Sequence, residues 1–283
     1  MNVTFIGGGN MASAIIAGLT EKKYIISVID PRPEIRFSLV KNTKGKNLKC
    51  FKSIKEFEKT KKVPNLTVLA IKPQHLQSLK QEIGYNSCLW LKKTTLISIV
   101  AGAKLAMLRK IFQNEKIIRA MPNTPAKVRL AVTGIYAPRN IPKKVIIAIS
   151  KLFDSIGQVL FLNAEGQIDS ITAISGSGPA YVFRFIEALV NTSGKLGFSK
   201  KLSHALVMQT VLGALKLLTV TGDNPKTLRQ SVTSKGGTTE AAIKILEENE
   251  LEQTIAKALF AAKIKSKDLG KELNTQIKQN SKK

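Results

Sequence analysis

Asn2-Val3-Thr4-Phe5-Ile6-Gly7-Gly8-Gly9-Asn10-Met11-Ala12 decides how the rest of the chain is read. Residues 2–6 carry a strand pattern, and the glycines follow with no spacer. Gly7, Gly9 and Ala12 fit G-x-G-x-x-G/A, and residues 11–19, apolar with small Ala12, Ser13, Ala14 and Ala17, read as a helix. The glycine pattern alone is weak evidence, but between a strand and a helix it has a mechanism. Gly7 makes the tight turn, Gly9 lets the backbone approach a pyrophosphate, and Ala12 keeps the helix close to the sheet. The helix N-terminus then offers amides and a favourable dipole to phosphate. Ile6, Gly7, Gly8, Gly9, Asn10 and Met11 are the candidate phosphate-binding residues.

Outward from this loop, short apolar runs alternate with amphipathic segments, as βα units and a mostly parallel sheet require. A second strand, 25–29, ends at Asp30, and Pro31 and Pro33 break the chain before a helix starting near Glu34. A carboxylate at Asp30 suits the ribose hydroxyls of NAD, whereas Arg32 suits the extra phosphate of NADP; the balance leans to NADPH, with NADH also used. Residues 66–71 form an apolar run bounded by Asn65 and Lys72-Pro73, the pattern of a central buried strand. Its carboxyl end brings Ala70 and Lys72 to the crevice where such sheets bind ligands. Further strands are expected at 95–100, 116–121, 131–137 and 158–162, with a helix over 142–155. The small residues 98–102, Ala101 among them, suit the flank of a nicotinamide ring.

Beyond residue 163 the strand signal vanishes. Segments 168–173, 178–196, 199–220, 224–232, 238–248 and 251–277 carry helical periodicity, punctuated by Gly176, Gly197, Gly222 and Gly236-Gly237. The reading is therefore a Rossmann-type α/β dinucleotide-binding domain over 1–162, followed by an all-α domain over 163–283.

The formal net charge is +26, with 45 Lys and Arg against 19 Asp and Glu. The excess is mostly lysine, scattered and not interleaved with aromatics, whereas base-edge readout and bidentate phosphate grips favour arginine. No specific nucleic-acid partner is expected. Two cysteines, Cys50 and Cys88, lack metal-ligand spacing, so no metal site is expected. No apolar run approaches the roughly 18 residues of a membrane span. The start of the chain lacks the pattern of a secretion signal, which points to the cytoplasm and away from a membrane.

Three later motifs narrow the chemistry. They are Met121-Pro122-Asn123-Thr124-Pro125, then Ile174-Ser175-Gly176-Ser177-Gly178-Pro179-Ala180-Tyr181, then Val232-Thr233-Ser234-Lys235-Gly236-Gly237-Thr238-Thr239. In the third, two glycines leave amides unshielded before Thr238 and Thr239 begin a helix. Free N–H groups at a positive helix end form an anion site of carboxylate size. With the N-terminal glycine loop, the three motifs resemble the pyrroline-5-carboxylate reductase family in identity, order and spacing over essentially the whole chain.

That resemblance implies reduction of the cyclic imine 1-pyrroline-5-carboxylate to proline with NADPH, or with NADH. It implies that amides around Gly237, Thr238 and Thr239 hold the substrate carboxylate, and that the Thr239 hydroxyl sits near the imine nitrogen as the candidate catalytic group. Glu165 matches an acidic family position near the substrate. Ser231 stands where family members often carry an amide side chain, and Lys235 where they carry proline; both depart from the pattern beside the substrate. The resemblance further implies a dimer built from the helical half, with decamers in many relatives. Other reductases of this two-domain plan place a lysine on the long inter-domain helix, and residues 178–188 contain none.

Overall fold

The computed structural model describes residues 1–19, 24–43, 47–84 and 88–279. They fall into two compact units, Met1–Ser177 with Ala262–Lys283, and Gly178–Ala261.

In the first unit, strands β1 (Asn2–Ile6), β2 (Ile25–Ile29), β3 (Leu48–Phe51), β4 (Leu66–Leu69), β5 (Thr95–Ser98), β6 (Ile117–Met121), β7 (Ala131–Tyr136) and β8 (Gly157–Phe161) are the strands among the described residues. They form one sheet in the order β3-β2-β1-β4-β5-β6-β7-β8. The first six are mutually parallel, and β7 turns back against β6 with Ala120 opposite Ile135. β8 runs parallel to β7. Every residue of β4, β5 and β6 is buried, as expected for central strands covered on both faces. On one face, helices α1 (Asn10–Leu19) and α7 (Lys143–Phe153) set Ile15, Ile16, Ile149 and Phe153 against Val3, Phe5, Val28 and Val68. On the other face lie α3 (Ile54–Glu58), α4 (Leu76–Ile83), α5 (Leu89–Lys93) and α6 (Leu105–Phe112), which pack against Ile6, Ile29, Leu69 and Leu96. Each large aliphatic so buried contributes roughly 1.5–3 kcal/mol. Helix α2 (Pro33–Asn42) joins β2 to β3.

The strands end at Phe161, where the sequence reading ends them to within a residue, but compactness places its division elsewhere. Helix α8 (Gln167–Ile171) seats Ile171 on Gly134 of β7, where an added Cβ would lie 2.9 Å from Ile171 Cγ2. The later part of α13 (Leu251–Gln279) also belongs here: Leu273 and Ile277 are buried with Ile6 and Leu69. The Ser266 hydroxyl donates to the buried Asp169 carboxylate at 2.7 Å. Gly270 lies against Gly102, whose φ is +75, so closely that a Cβ on Gly270 would stand 2.8 Å from the Gly102 carbonyl oxygen.

The second unit is helical: α9 (Gly178–Lys195), α10 (Lys200–Thr221), α11 (Pro225–Ser231), α12 (Thr238–Glu248) and the start of α13. It has almost no interior of its own. No residue of α9, α11 or α12 is buried, and in α10 only Ser203 and Val207 are. Phe183, Leu212, Leu215 and Val220 are each at least half exposed. Helix α10 is also long and apolar enough to cross a bilayer by length and composition. Ser203, His204, Gln209 and Thr210 interrupt its apolar run, so it does not stand out in the sequence as a span.

Candidate active site

The glycine loop sits at the carboxyl end of β1, and its three glycines have different physical reasons. Gly7 has φ +96, and a Cβ there would lie 2.5 Å from the Ala70 carbonyl oxygen, so the turn itself excludes a side chain. Gly8 packs beneath α2, where a Cβ would lie 2.8 Å from Leu39 Cδ1. Gly9 differs: a Cβ there would meet no protein atom within 4 Å. Protein packing therefore does not require a glycine at position 9, whereas close approach of a phosphate to the backbone does. The residues present fit a dinucleotide. Behind the loop, the Gly7 amide donates to the Ile29 carbonyl at 2.8 Å, and Ser13 closes the first helical turn on Gly9 at 2.9 Å. Asn10 and Met11 begin α1, where the leading amides have no carbonyl to bond within the helix.

Asp30, at the end of β2, is 1% exposed and turned into the fold. Its Oδ2 accepts the Gly8 amide at 2.8 Å and Arg32 Nη2 at 2.7 Å. Its Oδ1 accepts the Arg32 amide at 3.0 Å and Arg32 Nε at 2.9 Å. Burial pushes this carboxyl upward, but the hydrogen bonds from the Arg32 side chain and from the Gly8 and Arg32 amides together hold it below the usual carboxylate range. The same pairing raises the Arg32 guanidinium. Arg36, which the sequence reading passes over, donates from Nη1 to the carbonyls of Asp30 and Pro31, each at 2.7 Å.

Ala70 and Lys72 follow β4 as expected; Ala70 donates its amide to the Ile6 carbonyl at 2.8 Å, and Lys72 is exposed. Ala101 lies in the turn after β5, next to the Gly102–Gly270 contact. Glu165 is engaged within the first unit. Its Oε1 accepts the Leu105 amide at the head of α6 at 2.8 Å and Arg119 Nη1 at 3.1 Å. Arg119 is 2% exposed in β6, a charge inside the otherwise apolar strand Ile117–Met121. That lone charge was the signal available for it in the sequence. Asn123 of the Met-Pro-Asn-Thr-Pro motif is a splice: it accepts the Val132 amide and donates to the Ser175 carbonyl, both at 2.9 Å. Ser175 lies in a π-helical turn, Thr172–Gly176, that opens the Ser-Gly-Ser-Gly-Pro motif. Such turns recur at functional sites.

In the second unit, α12 begins at Thr238 with Gly237 as its N-cap and no side-chain cap. Gly236, at φ +72, turns the chain, and its amide donates to Glu240 Oε2 at 2.7 Å. The Gly237 amide closes the turn on the Ser234 carbonyl at 3.0 Å, so the carboxylate contact expected at Gly237 falls on an amide that has a partner within the chain. Among the described residues the amides and hydroxyls of Thr238 and Thr239 make no hydrogen bond, leaving two adjacent amides at a positive helix end. The Ser231 hydroxyl donates to Leu228 of its own helix at 2.8 Å, and Lys235 is exposed.

A mostly parallel sheet with a cradle open at Gly9, followed by a helical unit poor in interior, has the plan of a Rossmann-type dinucleotide-binding protein with a separate helical unit. Residues 2–102 match a family described as NADP oxidoreductase, coenzyme F420-dependent, and residues 165–269 match pyrroline-5-carboxylate reductase dimerisation. A pyrroline-5-carboxylate reductase of Haemophilus influenzae is 36% identical over 282 residues, covering 94% of this chain and 97% of that protein. One from Pseudomonas aeruginosa is 34% identical over 276 residues, covering 96% and 97%. The solved structure of a pyrroline-5-carboxylate reductase from Coxiella burnetii is 35% identical, with a TM-score of 0.83 over 95% of this chain and 98% of that one. A Plasmodium falciparum pyrroline carboxylate reductase with NADP bound is 28% identical, with a TM-score of 0.79 over 95% and 98%. The chain belongs to the pyrroline-5-carboxylate reductase family.

Proposed function

We propose that this chain catalyses the NAD(P)H-dependent reduction of 1-pyrroline-5-carboxylate to L-proline, the last step of proline biosynthesis. The observation that carries the site assignment is the uncapped start of α12, where, among the described residues, Thr238 and Thr239 keep both amides and both hydroxyls without partners. The substrate presents one carboxylate and one C=N bond. The Thr238 and Thr239 amides receive the carboxylate, with Gly237 as the side-chain-free approach and Ser231 at the rim. The Thr239 hydroxyl lies near the imine nitrogen and relays its proton. Lys235 adds a cation beside the carboxylate. Glu165 acts from the first unit, fixing the head of α6.

The nicotinamide nucleotide, when bound, supplies the hydride that attacks the imine carbon. Ile6, the loop Gly7–Gly9, Asn10 and Met11 receive its pyrophosphate, Arg32 its adenosine end, and Ala70, Lys72 and Ala101 its remaining wall. No Ser/His/Asp set is needed, because protonating the nitrogen already makes the imine carbon electrophilic and the remaining task is orientation. NADPH is the preferred donor and NADH is also used. The active unit is a cytoplasmic dimer, and size-exclusion chromatography with light scattering decides between dimer and decamer. Neither nucleic acid nor membrane is a partner, the lysine excess being solvated. The test is NADPH and NADH oxidation on one preparation supplied with pyrroline-5-carboxylate. Absence of turnover in a well-folded sample overturns the reading.

A further inference from the structure

The environment of Asp30 gives it a role different from the one its position suggests. An acidic residue at the end of the second strand of such a sheet ordinarily accepts the ribose hydroxyls of NAD. A carboxylate offers about four acceptor directions. Here all four are filled from within the chain, by the Gly8 amide, the Arg32 amide, Arg32 Nε and Arg32 Nη2, at 2.7–3.0 Å. A ribose hydroxyl would have to displace one of these, and three of the four come from the charged residue or the backbone that fixes it.

The other half of the pair is in the opposite condition. Arg32 uses Nε–H and one Nη2–H on Asp30, two of a guanidinium's five N–H donors, and is 52% exposed. Arg36 uses Nη1 on the carbonyls of Asp30 and Pro31. Each guanidinium thus keeps three N–H donors, and both are tied to the same two-residue corner after β2. Planar, doubly anchored guanidinium groups with unengaged donors are receptors for a phosphate dianion rather than for a diol.

Resting on the proposed use of a nicotinamide nucleotide, we propose that Asp30 is a positioning residue for cofactor choice. It withdraws the acceptor that would favour NADH, and it holds Arg32 beside Arg36 as a receptor for the 2′-phosphate of NADPH. The Gly8 bond adds a second consequence: the phosphate loop and the 2′-phosphate receptor share one carboxylate, so the two ends of the nucleotide site are set by a single group.

The test is titration of the full-length chain with NADPH, NADH, adenosine 2′,5′-bisphosphate and AMP, for the wild type and for Asp30→Asn, Arg32→Ala, Arg32→Lys and Arg36→Ala. The wild type is expected to bind the 2′-phosphorylated member of each pair more tightly. Arg32→Ala is expected to weaken NADPH about tenfold or more, as loss of a charge-assisted contact does, with NADH changed by less than about threefold. Arg32→Lys, which keeps charge but not the fork, is expected to fall between the two. Asp30→Asn is expected to weaken NADPH and leave NADH unchanged or improved, because the asparagine oxygen still accepts the Gly8 amide while a loosened Arg32 no longer presents its donors. Asp30→Asn weakening NADH more than NADPH would show a ribose ligand and overturn the proposal. So would an Arg32→Lys variant with the wild-type preference, a readout that survives if Asp30→Asn does not fold. A wild type that binds the nucleotides but does not turn over pyrroline-5-carboxylate would refute the function above and leave this proposal to be judged by the binding ratios. A wild type that binds none of the four would overturn both.

Discussion

Arg119 and Glu165 form an ion pair across 46 residues, with Arg119 Nη1 3.1 Å from Glu165 Oε1, one partner 2% and the other 29% exposed. The same oxygen accepts the amide of Leu105, so one carboxylate ties strand β6 to the head of α6. Replacing Glu165 with Ala leaves a buried guanidinium without its counter-charge. The expected loss is about 3 kcal/mol, the lower end for a broken buried pair because Glu165 is partly exposed. Urea midpoints measure it. The double variant Arg119→Met/Glu165→Ala should recover part of the loss, since it removes the stranded charge. A double variant no more stable than Glu165→Ala would refute the pair as the cause.

The glycine loop predicts a contrast between neighbours. Gly7→Ala combines a positive φ with a clash on the Ala70 carbonyl and should cost about 2–4 kcal/mol of stability. Gly9→Ala meets no protein atom and should leave stability within about 0.5 kcal/mol of wild type while raising the KM for the nucleotide. Thermal unfolding with steady-state kinetics separates the two. An unchanged nucleotide KM in Gly9→Ala would remove the case for pyrophosphate at that position.

Thr239→Val is isosteric and removes only the hydroxyl. It should lower kcat/KM for pyrroline-5-carboxylate by about tenfold to a hundredfold with the fold intact. Wild-type kcat/KM in this variant would withdraw the hydroxyl from the reaction.

The pH dependence of stability follows from Asp30. Its carboxyl is held below its ordinary range, so its folded pKa lies under that of the unfolded chain. The stabilisation is therefore complete above the unfolded value of about 3.9 and is lost as pH falls through the folded value. The groups around it are Arg32, Arg36 and Cys50, and the pairing with Asp30 raises the Arg32 guanidinium, so Arg32 stays charged throughout this window. The stability difference between wild type and Asp30→Asn should be constant near neutrality and shrink below about pH 4. A difference that grows on acidification would contradict the assignment.

On the proposed dimer, Phe183 and Leu215, exposed on α9 and α10 within the stretch that matches the dimerisation family, are covered by the partner. A charge placed at a buried interface centre costs 2 kcal/mol or more, by the order of interface hot spots. Phe183→Glu and Leu215→Glu should therefore shift sedimentation toward the monomer at low concentration. If both sediment as wild type, the interface lies on other faces of these helices.

The parts of the fold that could be read from sequence are those written locally. The run from Asn2 to Ala12 shows strand, turn and helix in order, and Thr238–Glu248 shows a helix between a Gly-Gly turn and Asn249. Direction is not local. The apolar pattern of Ala131–Tyr136 is the same whether the strand runs with or against β6, so the reversal is invisible until the sheet is assembled. Leu48–Phe51 is a four-residue edge strand with an exposed Lys49, too short and too polar to stand out. In the site, residue types were legible but their partners were not. Asp30 reads as a ribose acceptor because nothing in the sequence shows that Gly8, 22 residues away, turns its amide toward it. Gly237 reads as an open amide because the turn onto Ser234 depends on the Gly236 φ.

The burial of Leu273 and Ile277 beside Ile6 and Leu69 bears on the order in which this protein is made. A chain leaving the ribosome presents β1 and its glycine loop early, yet the cover that α3 to α6 lay over Ile6 and Leu69 is completed only when Leu273 and Ile277 of α13 have emerged. The nucleotide-binding unit cannot then be finished before the helical unit has been synthesised. Loss of the α13 residues from Ala262 onward would thus first strike the half of the molecule farthest from them in sequence.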